Sequence, residues 1–395
     1  MISDELRKSL AAGNGIRSAF LEACRQKKQY GPDNVFDLSI GNPLAPAPEE
    51  VKSAMLETAS DPDTEHLYMT QAGYEDVREA IAKSLNRRYG SDYSTTNIIM
   101  TTGAAGGLCI TLKAFLDPGD EVVIIRPYYP AYIGFISNCG GIPVVAGSDP
   151  LTFQPDLDDI SGKITESTKI VLINSPHNPS GAIYDGATAA ELAELLRQKN
   201  EQFGTDICLL SDEPYRELVY DDTEIPWWPD YYENTIVAYS FSKSLSLAGE
   251  RIGYLTVPGS FNEFDTVISA LNMSMGRLGF VNAPAFFQRI AAKCADVSMD
   301  LSYYREARDL LYDTLTGCGF DCAKPQGAFY VFIKAPGGDE EGLLSKAAAR
   351  HVLLVGGSSF GWPGWARASF CCGPEVMKRA LPALMLIASD CGLTH

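Results

Sequence analysis

Lys243 lies in the string Ser240-Phe241-Ser242-Lys243-Ser244, and Arg251 follows eight residues later in Gly249-Glu250-Arg251-Ile252-Gly253-Tyr254. A lysine amine can condense with an aldehyde, and a guanidinium is a planar fork that grips a phosphate through two hydrogen bonds. At short spacing after an apolar strand, the pair suits a phosphorylated carbonyl compound held covalently, which would make the chain an enzyme. A lone lysine is ordinarily a solvated surface charge, so this reading needs further residues.

Further residues are present, in chain order. They are Ser39-Ile40-Gly41-Asn42-Pro43, Tyr68 with Ala72-Gly73, Thr102-Gly103-Ala104-Ala105-Gly106-Gly107-Leu108, and Pro127-Tyr128-Tyr129-Pro130-Ala131-Tyr132. Then come Asn174-Ser175-Pro176-His177-Asn178-Pro179-Ser180-Gly181, Ser211-Asp212-Glu213-Pro214-Tyr215, the Lys243 block, Pro325-Gln326-Gly327-Ala328-Phe329-Tyr330 and Arg367-Ala368-Ser369-Phe370. Each string is weak alone, whereas nine in this order are specific. In them the chain resembles the fold-type-I pyridoxal-phosphate aminotransferases, the class I/II or aspartate-aminotransferase-like family, over nearly its whole length.

The resemblance implies pyridoxal 5'-phosphate as the cofactor. An amino acid's Cα–H bond is too strong for side chains alone to ionise; the cofactor's ring accepts the electron pair, and the protein supplies orientation and electrostatics. Lys243 would hold the cofactor's aldehyde covalently and, once displaced by substrate, carry protons as a general base. Asp212 would keep the ring nitrogen protonated, with Tyr215 and Asn178 bonding the ring's 3′-oxygen and Tyr129 stacking on its face. Outside this context Asp212 could simply turn the chain before Pro214, Asn178-Pro179-Ser180-Gly181 is an ordinary turn signal, and Tyr129 could be core.

For the phosphate, Gly103, Ala104 and Ala105 open a helix after the apolar run ending near Met100. Small residues let backbone N–H groups approach an anion, and a helix N-terminus adds a favourable dipole. Ser240, Ser242 and Arg251 would complete the cup, and Tyr68 would reach it from a partner subunit. Arg367 matches the residue that pairs with the substrate's α-carboxylate, and Gly41 the loop closing over it. Arg277, in Arg277-Leu278-Gly279-Phe280-Val281-Asn282-Ala283-Pro284, resembles an arginine that crosses the dimer to a distal carboxylate; the competing expectation pairs it with an acidic residue of the partner. His177, Trp362 and Trp365 depart from the family pattern and could face a large substrate or pack internally.

The elements that would position these residues are legible as well. Val122-Val123-Ile124-Ile125, Ile170-Val171-Leu172-Ile173, Ile207-Cys208-Leu209-Leu210 and Ile236-Val237-Ala238 read as strands buried on both faces. Leu192, Leu195 and Leu196, like Val77, Ile81 and Leu85, have helical spacing. Alternating strands and helices predict an α/β fold: a mostly parallel central sheet with helices on both faces, plus a smaller α+β domain. Asn178, Asp212 and Lys243 each follow a strand, so they are expected to converge in one crevice at the strands' carboxyl ends. Residues 283–315 read as one long helical stretch, followed by short strands near 329–333, 352–355 and 367–370. The expected domains are 1–45, a segment joining the small domain; 46–285, the large cofactor-binding domain; and 286–395, the small C-terminal domain.

Composition narrows the function classes. At 395 residues, two domains sharing an interface are expected. Thirty-two Lys and Arg against 50 Asp and Glu give a net charge of −18, which argues against nucleic-acid binding. The start Met1-Ile2-Ser3-Asp4-Glu5 lacks a signal-peptide pattern and no apolar run reaches a membrane span, so a cytoplasmic protein is expected. Ten cysteines occur without metal-ligand spacing; Cys371-Cys372 and Cys318/Cys322 read as small hydrophobes, and no metal is expected.

The sequence thus points to a homodimeric aminotransferase acting on an α-amino acid and a 2-oxo acid by a ping-pong cycle, with an aspartate-like substrate as one candidate. Two alternatives stay open. The same fold and cofactor serve enzymes of β/γ-elimination-replacement or C–C bond formation, and a non-catalytic regulator could retain the fold.

Overall fold

The computed structural model describes residues 2–4, 6, 7, 10, 15–63 and 66–393. The chain opens with helix α1 (Gly15–Tyr30), strand β1 (Phe36–Asp37) and helices α2 (Glu49–Ser60) and α3 (Glu75–Tyr89). Strands and helices then alternate: β2 (Ile98–Thr101), α4 (Gly103–Phe115), β3 (Glu121–Ile125), α5 (Ala131–Asn138), β4 (Ile142–Ala146), α6 (Leu157–Lys163), β5 (Thr168–Asn174), α7 (Gly186–Phe203) and β6 (Cys208–Asp212). After β7 (Thr235–Ser240) come the single turn α8 (Phe241–Ser244), β8 (Gly253–Thr256), α9 (Phe264–Arg277) and α10 (Ala285–Lys293). The remainder is α11 (Ser302–Gly317), β9 (Asp321–Cys322), β10 (Tyr330–Lys334), α12 (Glu340–Ala349), β11 (Val352–Leu353), β12 (Val355–Gly356), β13 (Trp365–Ser369) and α13 (Pro374–Asp390).

The apolar runs form a seven-stranded sheet in the order β2-β8-β7-β6-β5-β3-β4. All its pairings are parallel except those of β8, which runs against both neighbours. Because side chains alternate along a strand, one run supplies two cores. Val122, Ile124, Ile170 and Leu172 pack with residues of α4, α5 and α9, whereas Val123, Ile125, Val171 and Ile173 pack with α6 and α7. Ile98, Met100 and Val237 form a third cluster with α2, α3 and α10. Helices therefore cover both faces, as the two-sided burial of the strands requires.

Beyond residue 300, α11 and α13 pack on a sheet of order β12-β13-β10-β9, antiparallel throughout. The N-terminal segment joins this unit: β1 pairs with β11, and Ala23 of α1 shares a cluster with Leu353. The single helical stretch expected over 283–315 is instead two helices. Between them the Asp300 carboxylate accepts the Ser302 N–H at 2.8 Å, a local bond that offers the backbone an alternative to the helix. Since α10 packs with α2 and α3, we propose that the chain passes from large to small unit within 294–301 rather than at 285/286. No described helix is long and apolar enough to cross a membrane.

Just beyond β6, Glu213 is enclosed and pairs with Arg216 at 2.6 Å. The Arg216 guanidinium lies 4.8 Å from the Tyr89 ring centroid and 4.7 Å from that of Trp227, and donates to the Pro226 carbonyl. Removing one member of a buried pair strands the other charge. Glu213→Ala is expected to lower unfolding free energy by about 3–5 kcal/mol, measured by urea denaturation; an unchanged midpoint would contradict this packing.

Candidate active site

The strand order brings the carboxyl ends of β2, β7, β6 and β5 to one edge of the sheet. Because β8 runs the other way, Gly253 begins it there, paired with Thr101 and Ser240. A Cβ on Gly253 would sit 2.2 Å from the Tyr239 carbonyl oxygen and 3.0 Å from Gly103 Cα, so only glycine allows this approach. Outside this edge lies a cavity of about 270 Å³. Gly41, Asn178, Asp212, Tyr215, Lys243 and Arg367 line it, as do Ala104, Ala105, Tyr129, Ser240, Ser242 and Arg251.

Asp212 ends β6 and is 5% exposed. Its Oδ2 accepts the Tyr132 hydroxyl at 2.6 Å, while Oδ1 is buried and meets no donor among the described residues. Burial raises its carboxyl to about 7; the Tyr132 bond opposes that shift and the Glu213 charge adds to it. Lys243 stands in α8, directly after β7, and its Nζ donates to the Gly41 carbonyl at 2.7 Å. Burial brings the amine down to about 8; Cys371 works against the shift, and the cations Arg251 and Arg367 reinforce it.

Arg367 projects from β13 and is 2% exposed. Nη1 donates to Asn178 Oδ1 at 2.9 Å and Nη2 to the Ser39 carbonyl at 2.5 Å, but buried Nε has no acceptor among the described residues. The guanidinium lies 4.4 Å from the Tyr330 ring centroid and 4.9 Å from that of Phe360. A buried guanidinium between two rings, with a donor left over, is arranged to receive an anion.

At the cavity's far side α4 begins at Gly103, whose φ is +74°, with no side chain capping its first N–H groups. Arg251 leans over this terminus, donating to the Thr102 carbonyl at 3.3 Å, and a Cβ on Gly103 would lie 2.9 Å from its Nη2. Arg251 itself has φ +54°, a left-handed conformation unusual outside glycine. The Ser240 and Ser242 hydroxyls, 2.7 Å apart, complete a ring of donors.

Tyr68 and Arg277 lie outside the cavity of their own chain. Tyr68 is 92% exposed beside a second groove shared with Phe280 and Val281, and Arg277 is exposed at the end of α9. His177 does not line the cavity either: it is buried, bonds Ser180 Oγ at 2.7 Å, and burial pushes its imidazole down to about 4. Trp365 stacks on Phe332 at 5.2 Å and Trp362 lies under Arg126, so both pack away from the pocket.

Several residues of the site escaped sequence reasoning, among them Leu108, Pro214 and Ala248 of the cavity lining. Tyr132 holds Asp212, and Tyr330 bonds the Tyr215 hydroxyl at 2.9 Å. Asn174 accepts the Asn178 N–H and donates to the Asp212 carbonyl, both at 2.8 Å. Tyr132, Asn174 and Tyr330 stand within the quoted strings, where their polar tips were a signal. Ile16 of α1 also lines the cavity, and nothing in its local sequence marks it.

Over residues 33–384 the chain matches the family Aminotransferase class I and II. It is 32% identical over 352 residues to an aspartate aminotransferase of Thermotoga maritima, covering 88% of this chain and 90% of that one. It is also 31% identical to a probable N-acetyl-LL-diaminopimelate aminotransferase of Bacillus subtilis, covering 90% and 89%. A crystal structure of an aminotransferase from Eubacterium rectale superimposes with a TM-score of 0.94 at 40% identity, over 98% of this chain and 99% of that one.

The donor set fits pyridoxal phosphate. Oδ1 of Asp212 needs an N–H donor, the α4 terminus with Arg251 needs a compact anion, and an amine titrating near 8 is available to an aldehyde. Because only the unprotonated amine reacts, acylation of Lys243 in cofactor-free protein should rise with pH and reach half its plateau near 8. Peptide mapping after pulse labelling checks this; a midpoint near the ordinary lysine value of about 10.4 would contradict it.

Proposed function

From the premise that this chain belongs to the class I and II aminotransferases, a pyridoxal-phosphate-dependent family acting on amino acids and oxo acids, we propose that the cavity residues carry out transamination of an aspartate-like amino acid in a homodimer. One observation carries the site assignment: Asp212 Oδ1 and Arg367 Nε, both buried and without a partner among the described residues, belong to residues lining one cavity with Lys243. When bound, pyridoxal phosphate supplies a reactive aldehyde and an electron-accepting ring.

The chain's own residues do the rest. Lys243 anchors the cofactor and, once freed, its Nζ accepts the proton leaving the substrate's Cα; an amine titrating near 8 suits that task at neutral pH. Asp212 Oδ1 holds a proton on the ring nitrogen. Arg251, the two serine hydroxyls and the N–H groups of Gly103, Ala104 and Ala105 hold the phosphate. Tyr129 would support the cofactor's ring, and Asn178 and Tyr215 would hydrogen-bond its 3′-oxygen. Arg367, already fixed by Asn178 and the Ser39 carbonyl, receives the α-carboxylate through Nε. Gly41 brings backbone rather than a side chain to the cavity, since a Cβ there would meet the Tyr330 hydroxyl at 1.8 Å.

Relatives named aspartate aminotransferase support the substrate class. Among the described residues the cations lining this chain's cavity are Lys243, Arg251 and Arg367, each already assigned a task. A distal carboxylate would therefore need a cation from a second subunit, which is the part we assign to Arg277, as we assign Tyr68 to the partner's phosphate. A cytoplasmic location accords with ten free cysteines.

Mixed with aspartate or glutamate, the loaded enzyme is expected to release the corresponding oxo acid, and Lys243→Ala to lose turnover by several orders of magnitude while still binding cofactor. Release of oxo acid by Lys243→Ala at the parent rate would refute its role. Arg277→Ala should lower kcat/KM for both dicarboxylates by roughly 100-fold and leave an uncharged amino acid nearly unaffected. Equal loss for all three substrates would remove Arg277 from substrate recognition.

A further inference from the structure

Residues 357–364 leave the small sheet between β12 and β13 and touch three segments that contribute to the cavity. Phe360 is buried, and its ring centroid lies 4.9 Å from the Arg367 guanidinium. Its carbonyl accepts the N–H of Tyr128, the neighbour of Tyr129, at 3.0 Å. Ser359 meets the start of α1: a Cβ on Gly15 would lie 2.0 Å from Ser359 Oγ, and the next residue, Ile16, lines the cavity. The neck of this loop is closed by a side chain from another element. Glu340 opens α12, and its Oε2 accepts the Ser358 N–H at 3.1 Å, the Ser358 hydroxyl at 3.0 Å and the Gly364 N–H at 3.0 Å. Oε1 shares the Ser358 N–H at 3.2 Å. The helix has a cap without it, because the Asp339 carboxylate accepts the Gly342 N–H at 2.9 Å. The Glu340 carboxylate is turned to the loop instead.

We propose that Glu340 is a positioning residue for substrate recognition: its carboxylate clamps the two ends of loop 357–364, and the loop, through Phe360, holds the Arg367 guanidinium in the orientation that receives a carboxylate. The inference rests on the assignment of Arg367 to the substrate's α-carboxylate. The two rings beside that guanidinium are held differently. Tyr330 belongs to β10, whose ladder with β13 also carries Arg367, so its place is fixed by the sheet. Phe360 stands outside that ladder, and its place depends on the loop. Hydrogen bonds to an ionised acceptor are roughly twice as strong as neutral ones, so a carboxylate spanning Ser358 and Gly364 is well suited to fix it. Without the clamp the loop populates states in which Phe360 has left the guanidinium. Apparent affinity then falls with the fraction of competent molecules.

The test compares the full-length parent with Glu340→Ala, Glu340→Gln, Glu341→Ala and Arg367→Ala. Three properties are read: the dissociation constant of maleate, a dicarboxylate with no amine to react, for the cofactor-loaded enzyme by calorimetry; the dissociation constant of pyridoxal phosphate for cofactor-free protein; and amide exchange across 357–364 by mass spectrometry. Glu340→Ala is expected to weaken maleate binding about tenfold and to speed exchange in that segment. Cofactor affinity should stay within about twofold of the parent, because Lys243 and Arg251 stand at the edge of the other sheet. Glu340→Gln keeps an acceptor oxygen for Ser358 and Gly364 and should recover most of the maleate affinity. Glu341→Ala removes the neighbouring charge from the same first turn of α12 and should match the parent. Parental maleate affinity in Glu340→Ala overturns the proposal, as does equal weakening of maleate and cofactor, or a Gln variant no better than the Ala variant. If Arg367→Ala leaves maleate affinity unchanged, the assignment of Arg367 falls instead. Should Glu340→Ala fail to fold, Ser358→Ala removes the hydroxyl bond alone and should still speed exchange across 357–364; no change there refutes the clamp.

Discussion

A carboxylate out of reach of water must be satisfied from within the protein or from a ligand, and in Asp212 only half of that requirement is met internally. Tyr132 donates to Oδ2, and the buried Oδ1 of this cavity-lining residue meets no donor among the described residues. Leaving such an atom unpaired costs about 1–3 kcal/mol, more when charged, so the fold holds the group ready for something that brings a donor. Arg367 Nε presents the converse case, a buried donor awaiting an acceptor. Both orphaned atoms belong to residues lining the same cavity.

The cavity also illustrates how little net charge says about a site. The chain carries −18 overall, yet Lys243, Arg251 and Arg367 share one pocket of about 270 Å³. Burial, reinforced by the Arg251 and Arg367 charges, is what brings the lysine amine down. Placing a phosphate beside Arg251 and a carboxylate beside Arg367 offsets those charges. The sheet's topology places part of this charge: four strand ends and the start of α4 reach one edge with Lys243 and Arg251, while Arg367 enters from β13 of the other sheet.

Much of this was legible in the sequence, for identifiable reasons. Runs such as Ile170-Val171-Leu172-Ile173 are apolar on both faces and have no other stable place than a covered sheet. Asn178, Asp212 and Lys243 follow such runs at short distance, so their convergence came from topology alone. Legibility ended where contacts join segments far apart in the chain. Ile16 reaches the cavity because α1 packs with the small unit, a tertiary fact absent from its neighbours in sequence. Tyr132 was quoted beside Tyr129, but which of three tyrosines points to Asp212 depends on the pitch of α5. The split between α10 and α11 is not marked by a Gly or Pro; it shows in the local bond from the Ser302 N–H to the Asp300 carboxylate.

The chemistry of the site depends on Lys243 being the residue that carries the cofactor. Loading the protein with pyridoxal phosphate, reducing it with borohydride and mapping the peptides tests this directly. The expected result is a yellow protein whose visible band is lost on reduction, with the label confined to the peptide containing Lys243. A protein that stays colourless with the cofactor, or a label spread over surface lysines while Lys243 remains unmodified, would contradict it.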